Sequence, residues 1–258
     1  MNKLPPVNKL FWIMKISATT LGETAGDLLS MTLAVGYAAS SAIFFGLLAI
    51  ALAFQISAKS YRPLLYWTVI LLTSTAGTTL SDFMDRTLQL GYAKGSAILL
   101  SLLLAIFLYW RTSDHSMSVE QIKTRKVEVL YWTAIVFSNT LGTALGDFLA
   151  DSSGLGFGGG ALLIAGLLGV ITLATYSTRI SSTLLFWVAF VLTRPFGATL
   201  GDLLTKQKDQ GGLALGTAHA SLVLASILGT AILYCYLKGA KEAEGGLAKP
   251  NPHHADSS

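Results

Sequence analysis

Long charge-free apolar runs alternate along the chain with short polar segments. Leu28–Ala58 holds 31 residues without a charge, Ser152–Thr178 holds 27 and Gln210–Leu237 holds 28, followed by Pro63–Ser81 with 19 and Val129–Gly146 with 18. A helix needs about 20 mostly apolar residues to cross a hydrocarbon core about 30 Å thick. These runs are apolar on all sides instead of alternating, so they predict helices and not barrel strands. The pattern places helices at 10–31, 35–57, 63–84, 91–110, 128–150, 155–177, 183–204 and 212–237. The expected fold is all-α: a polytopic membrane protein with eight transmembrane helices. Glu23 and Asp27 in the first apolar segment argue against a cleavable signal peptide.

The segments repeat in pairs. Trp12, Trp67, Trp132 and Trp187 follow one another at intervals of 55, 65 and 55 residues. Ten residues after each comes Gly22, Gly77, Gly142 or Gly197, and fifteen after each comes Asp27, Asp82, Asp147 or Asp202. Gly36, Gly91, Gly156 and Gly216 then open the second apolar segment of each unit, the last after five extra residues around Lys206–Gln210. Four two-helix repeats result, at 10–57, 63–110, 128–177 and 183–237, in a single membrane domain with a tail at 238–258. The wider central interval, filled by the polar segment Arg111–Glu128, fits tandem duplication of a two-repeat half. An even number of helices per repeat makes the four repeats parallel.

Composition supports the membrane reading: charged residues are 12% of the chain, against about 25% in soluble domains, and mean hydropathy is +0.59. Cys235 stands alone, which excludes a disulfide scaffold. A net charge of +4 could suggest nucleic acid, but the distribution of the charges speaks for the lipid bilayer. Thirteen Lys and Arg, Lys15 among them, fall on the side of both termini, and Arg86, Lys94, Lys206 and Lys208 fall on the other. The bias predicts a multipass protein with both termini cytoplasmic.

Four tandem repeats of two transmembrane helices with a Trp each resemble the bacterial membrane-anchored family built on a repeat of unknown function. The resemblance covers Trp12 to Leu237. It implies the architecture and a place in the bacterial plasma (inner) membrane, and it brings no activity with it. Function has to be argued from the repeated residues.

With the Trp rings at the cytoplasmic interface, each Asp lies about 22 Å deeper along its helix. Asp27, Asp82, Asp147 and Asp202 therefore share one level inside the membrane. Intramembrane carboxylates are costly and commonly face a bundle interior or an ion path. Oxygen ligands suit hard cations, so these four Asp with Glu23, one turn from Asp27, are candidate ligands of a divalent metal. Thr78 and Thr143 occupy the position of Glu23 in repeats two and three, and Asn139 and Arg194 lie one turn nearer the Trp side. Arg194 is within reach of Glu23 for a buried ion pair; alternatively it bonds carbonyls freed by a kink at Pro195. Thr20, Thr75 and Thr140 either continue a polar path or bond their own helices. Lys94 and His219 fall near the outer mouth, and Asp85 and Asp151 in outer loops. His253-His254 is too little for a metal site.

Three function classes are expected to compete. The first is a transporter of a hard cation, a divalent metal in exchange with protons, with no resident cofactor. The second is an enzyme, for which the chain lacks paired haem His, a nucleophile beside a base, and a phosphate loop. The third is a structural or sensory membrane protein whose Asp residues only stabilise helix packing through small-x-x-x-small pairs such as Gly22/Gly26 and Gly142/Gly146.

Overall fold

The computed structural model describes residues 3–113 and 124–247. The remainder of the polar segment, residues 114–123, and residues 248–258 with His253-His254 lie outside the described residues. Eight α-helices form within them: α1 (Lys9–Asp27), α2 (Tyr37–Ser57), α3 (Pro63–Asp82), α4 (Tyr92–Ser113), α5 (Arg125–Asp147), α6 (Gly156–Ser177), α7 (Ser182–Thr205) and α8 (Thr217–Leu247). The Asn8 side chain caps α1 by accepting from Phe11 N at 3.0 Å, and Thr124 caps α5 in the same way. Pro63 starts α3 at a position whose N–H has no helical partner. The helices α4 and α5 take up both ends of the segment read as polar and solvated, and α8 runs ten residues past the apolar stretch.

The first three odd-numbered helices end in the same way. A single π turn follows each Asp, at Leu28–Thr32, Phe83–Thr87 and Phe148–Ser152. The chain then reverses through a left-handed residue: Ala34 (φ 53°), Gln89 (φ 56°) or Gly154 (φ 78°). In the fourth repeat the inserted residues replace the π turn with the 3-10 turn Lys208–Gln210, and Ala214 (φ 57°) makes the reversal.

The odd helices form the inside of the molecule. Helix α1 packs on α3, α3 on α5, α5 on α7, and α7 closes the ring on α1. The even helices cover this ring from outside, each on the first helix of the next repeat: α2 on α3, α4 on α5, α6 on α7 and α8 on α1. Glycine sets the spacing of the inner ring. Gly22 lies against Ser74, Gly77 against Asn139, Gly142 against Arg194 and Gly197 against Thr19, the same pair of repeat positions four times. Equal register around the ring means that the four inner helices run parallel. One level toward the termini, aromatic rings follow the same rule: Phe11 meets Trp67 at 5.6 Å, Tyr66 meets Trp132 at 5.6 Å, Tyr131 meets Trp187 at 6.0 Å and Phe186 meets Trp12 at 5.8 Å. Three of the four repeat Trp rings are therefore buried among the helices, and only Trp12 is half-exposed.

Among the described residues six helices are long and apolar enough to cross a membrane: α2, α3 with its π turn, α4, α6, α7 and α8 to Lys238. The even ones bury only 11–28% of their most apolar window, against 67% and 56% for α3 and α7. Their outward residues, such as Leu162, Val170 and Leu173, offer the surface that a bilayer covers. Helices α1 and α5 stay outside this set: Lys15, Glu23 and Asp27 interrupt α1, and the polar Ser138, Asn139, Thr140 and Thr143 lower the hydropathy of the uncharged run in α5. Lys15, Glu23, Asp27 and these α5 residues are buried within the ring.

A Cβ on Gly77 would meet the backbone of the next inner helix, 2.9 Å from Thr140 N and 3.0 Å from Asn139 C, atoms that cannot rotate away. Gly77→Ala is expected to lower stability in detergent by about 1–3 kcal/mol through overpacking. Gly46→Ala, where nothing lies within 4 Å, should leave the thermal unfolding temperature unchanged. Equal melting of the two variants would show that the glycine contacts do not set the ring spacing.

Candidate functional site

Residues four apart on the inner helices stack into levels about 6 Å apart along the ring axis. Starting from the termini, the levels are Phe11/Tyr66/Tyr131/Phe186, then Lys15/Ile70/Ile135/Phe190, then Thr19/Ser74/Asn139/Arg194, then Glu23/Thr78/Thr143/Ala198, and last Asp27/Asp82/Asp147/Asp202. Nearly all of these side chains are buried. The Tyr66 and Tyr131 hydroxyls bond each other at 2.8 Å in the first level. Leu4, Pro5 and Val7 cover that level and leave a cavity of only about 10 Å³. Lys3 holds this covering segment by pairing with Glu128 at 2.7 Å and donating to Ile56 O at 3.0 Å. The axis is closed on the terminal side.

Arg194 occupies the centre. Its side chain has no exposure, and its Nη2 donates to Glu23 Oε2 at 2.8 Å, to Thr143 Oγ1 at 2.7 Å and to Thr78 Oγ1. Longer contacts at 3.4 Å reach Thr19 O from Nη1 and Ser74 O from Nη2. One guanidinium thus touches all three other inner helices, and of the two readings of Arg194 the ion pair with Glu23 is the one the geometry realises. Thr78 and Thr143 also lie 3.2 and 3.4 Å from Glu23 Oε2, so both join this cluster as expected. Asn139 does not: its Nδ2 donates to Thr73 Oγ1 at 2.9 Å, on the neighbouring inner helix. Thr75 and Thr140 bond their own helices, at Leu71 O and Val136 O, whereas the Thr20 hydroxyl is buried without a hydrogen-bond partner.

The four aspartates share a level, but they are not four bare charges. Lys206 Nζ lies 2.9 Å from Asp27 and 3.1 Å from Asp202. Arg86 lies 2.8 Å from Asp82 and 3.5 Å from Asp147. Sequence reading assigned Arg86 and Lys206 to the outer surface and missed these pairs, although each stands four residues after an Asp, one turn on and on the same face. Burial works against the charge of Lys206, but Asp202 and Asp27 outweigh it and hold the ammonium well above its ordinary range. Lys206 stays charged at any physiological pH.

The candidate metal set narrows accordingly. Ligand atoms of Glu23, Asp147 and Asp202 lie within 4.8 Å of one another, while Asp27 and Asp82 fall outside this group. Asp202 Oδ1 is buried without an aligned hydrogen bond. Asp85 is not in an open loop; it is buried in the π turn against Gly95 and accepts from Ser81 at 3.4 Å. Asp151 accepts from Tyr92 at 3.1 Å, and Lys94 and His219 are exposed, away from the axis. Lys15, counted by its sequence position with the terminal-side surface charges, is fully buried with Nζ 3.9 Å from the centre of the Phe190 ring. Its alignment with Ile70, Ile135 and Phe190 was the available signal.

These features define an all-α protein of four rotationally related helix pairs around a charged, buried axis. Residues 10–61, 65–116, 130–181 and 185–240 each match the Repeat of Unknown Function (DUF347), and the chain belongs to that family. No curated protein and no solved structure matches it.

Removing one partner of the Glu23–Arg194 pair leaves the other charge buried. Arg194→Ser or Glu23→Thr alone should each cost about 3–5 kcal/mol of stability. The double variant installs in repeats four and one the residues that repeat two carries at Ser74 and Thr78, and should lose less than either single. Additive losses in a double-mutant unfolding cycle would show that the two do not act as a pair.

Proposed function

We propose that this chain is a multipass transporter of the bacterial plasma membrane that moves a hard cation in exchange for protons. The observation that carries this reading is a charge imbalance. Among the described residues the axis holds five carboxylates (Glu23, Asp27, Asp82, Asp147 and Asp202) and four cations (Lys15, Arg86, Arg194 and Lys206). One carboxylate is in surplus. In a water-poor interior an uncompensated charge of this kind draws a proton or a cation. The surplus falls where Glu23, Asp147 and Asp202 converge, and an all-oxygen set favours Mg²⁺, Ca²⁺ or Mn²⁺.

Helices α1 and α5 occupy ring positions equivalent to α3 and α7, so they too cross the bilayer, eight spans in all. The aspartate level is nearest water, because the Arg86 and Lys206 side chains are 33% and 19% exposed. The bias of Lys and Arg puts this end outside and both termini in the cytoplasm. The site then lies nearest the exterior and is closed toward the cytoplasm by the aromatic level and its Leu4 cover. Reporter fusions within 114–123 should read cytoplasmic and fusions within Lys208–Gln210 external; the opposite result would invert the direction of access.

Protons and cations compete for the same carboxylate oxygens, so Mn²⁺ binding should strengthen as pH rises, by about tenfold per pH unit for each proton displaced. Asp147→Asn and Asp202→Asn should each weaken it by about 10–100-fold without unfolding the protein. The pairing of all four Asp with Arg86 or Lys206 favours a second reading, in which the carboxylates only tie the ring together. Loss of thermal stability in both Asn variants, with no Mn²⁺ bound by the wild type at any pH, would select that reading and remove transport.

A further inference from the structure

Lys15 is fully buried, its Nζ has no hydrogen-bond partner, and it rests against the face of Phe190 at 3.9 Å. The fold does not require a lysine there, because the equivalent positions in the other repeats are the buried apolar residues Ile70, Ile135 and Phe190. The cation–π contact offsets only part of the cost of burying an ammonium without acceptors. The ammonium form therefore depends on charges farther along the axis.

The groups around it are few. From α7 it faces Arg194, a like charge whose Nη1 reaches Thr19 O one turn above Lys15. On its own helix Glu23 lies two turns away and is already bonded to Arg194. Helices α3 and α5 offer Tyr66 and Tyr131 below, occupied with each other, and α8 brings Cys235 to 4.0 Å from Met14 Sδ. Among the described residues no carboxylate pairs with Lys15. Its charge is therefore balanced only by the surplus at the acidic level.

The consequence is arithmetic. With Lys15 charged, five carboxylates face four cations, and the axis is matched by one positive charge. With Lys15 neutral, five carboxylates face three cations, and the axis is matched by a divalent ion. We infer that Lys15 is the proton-holding counter-charge of the transport cycle, an ammonium when the acidic level is empty and a neutral amine when a divalent cation fills it. This rests on the transport reading above. Filling the site releases the Lys15 proton to water and displaces the single positive charge that matched the surplus before. The exchange leaves the charge of the axis unchanged. Lys15 touches no carboxylate of the site; it acts through charge balance.

The test is the pH dependence of Mn²⁺ affinity in the purified full chain, measured by calorimetry for the wild type, Lys15→Ile and Lys15→Arg. Lys15→Ile copies repeats two and three and should fold; Lys15→Arg keeps a permanent charge. Each linked proton contributes about tenfold in affinity per pH unit. Both variants should therefore lose about one factor of ten per pH unit from the wild-type slope. Lys15→Ile should bind more tightly than the wild type at the acidic end, and Lys15→Arg more weakly at the alkaline end. Wild-type binding with the same slope in both variants overturns the role of Lys15 alone. Absence of Mn²⁺ binding by the wild type overturns the transport reading and this inference with it.

Discussion

The close approach of each inner helix to the next sets everything else in this molecule. A glycine ten residues after the Trp of one repeat accepts the residue seven after the Trp of the following repeat, and Gly197 accepts Thr19 to complete the circle. Contacts in equal register around a closed ring force equivalent residues toward one axis. A polar side chain placed there in one repeat can find partners only in the other three. Arg194 illustrates the constraint: its side-chain hydrogen bonds among the described residues go to α1, α3 and α5. The outer helices reinforce the ring because each covers the repeat after its own, so no two-helix unit carries a complete core.

Much of this was legible in the sequence, and the parts that were not share a cause. Apolar runs gave the helices, and ungapped spacing of Trp, Gly and Asp gave four parallel units. The Glu23–Arg194 pair followed from depth, since Glu23 and Arg194 fall one turn apart in repeat position and neither charge is tolerable alone. The burial of the Trp rings was not legible because an amphipathic ring is equally at home at a lipid boundary and in an aromatic layer, and only the packing of Phe11 on Trp67 and its three counterparts decides. The axial placement of Lys15, Arg86 and Lys206 is not legible because proximity to a helix end looks the same in one dimension whether the side chain turns outward or along an axis. Repeat alignment would have separated the cases: Lys15 aligns with apolar residues, whereas Arg86 and Lys206 follow an Asp by one turn.

The backbone is nearly fourfold, but the charges are not. Arg86 and Lys206 stand at the same position in repeats two and four, where repeats one and three have Met31 and Asp151. Each cation bridges its own Asp to that of the following repeat, Asp82 to Asp147 and Asp202 to Asp27. This twofold pattern is what duplication of a two-repeat half would leave, and the 55-65-55 spacing has the same origin. Two Asp–cation–Asp clips therefore face each other across the axis, each carrying one net negative charge.

Glu23 breaks the twofold pattern. Its counterpart by duplication is Thr143, and the counterpart of Arg194 is Ser74, so the central ion pair exists in one half only. The Glu23 carboxylate adds no net charge to the axis, since Arg194 cancels it, but it stands one turn from the aspartate level on the axial face. There it meets one acid from each clip: Asp147, held by Arg86 at 3.5 Å, and Asp202, which Lys206 must share with Asp27. These are the more loosely held carboxylates of their respective clips, against 2.8 Å for Asp82 and 2.9 Å for Asp27. A guanidinium can engage two acids at once, whereas a single ammonium divides one compact charge between them. The acids left under-compensated on both sides are thus the pair that Glu23 brings together, and a symmetric ring would have no such point.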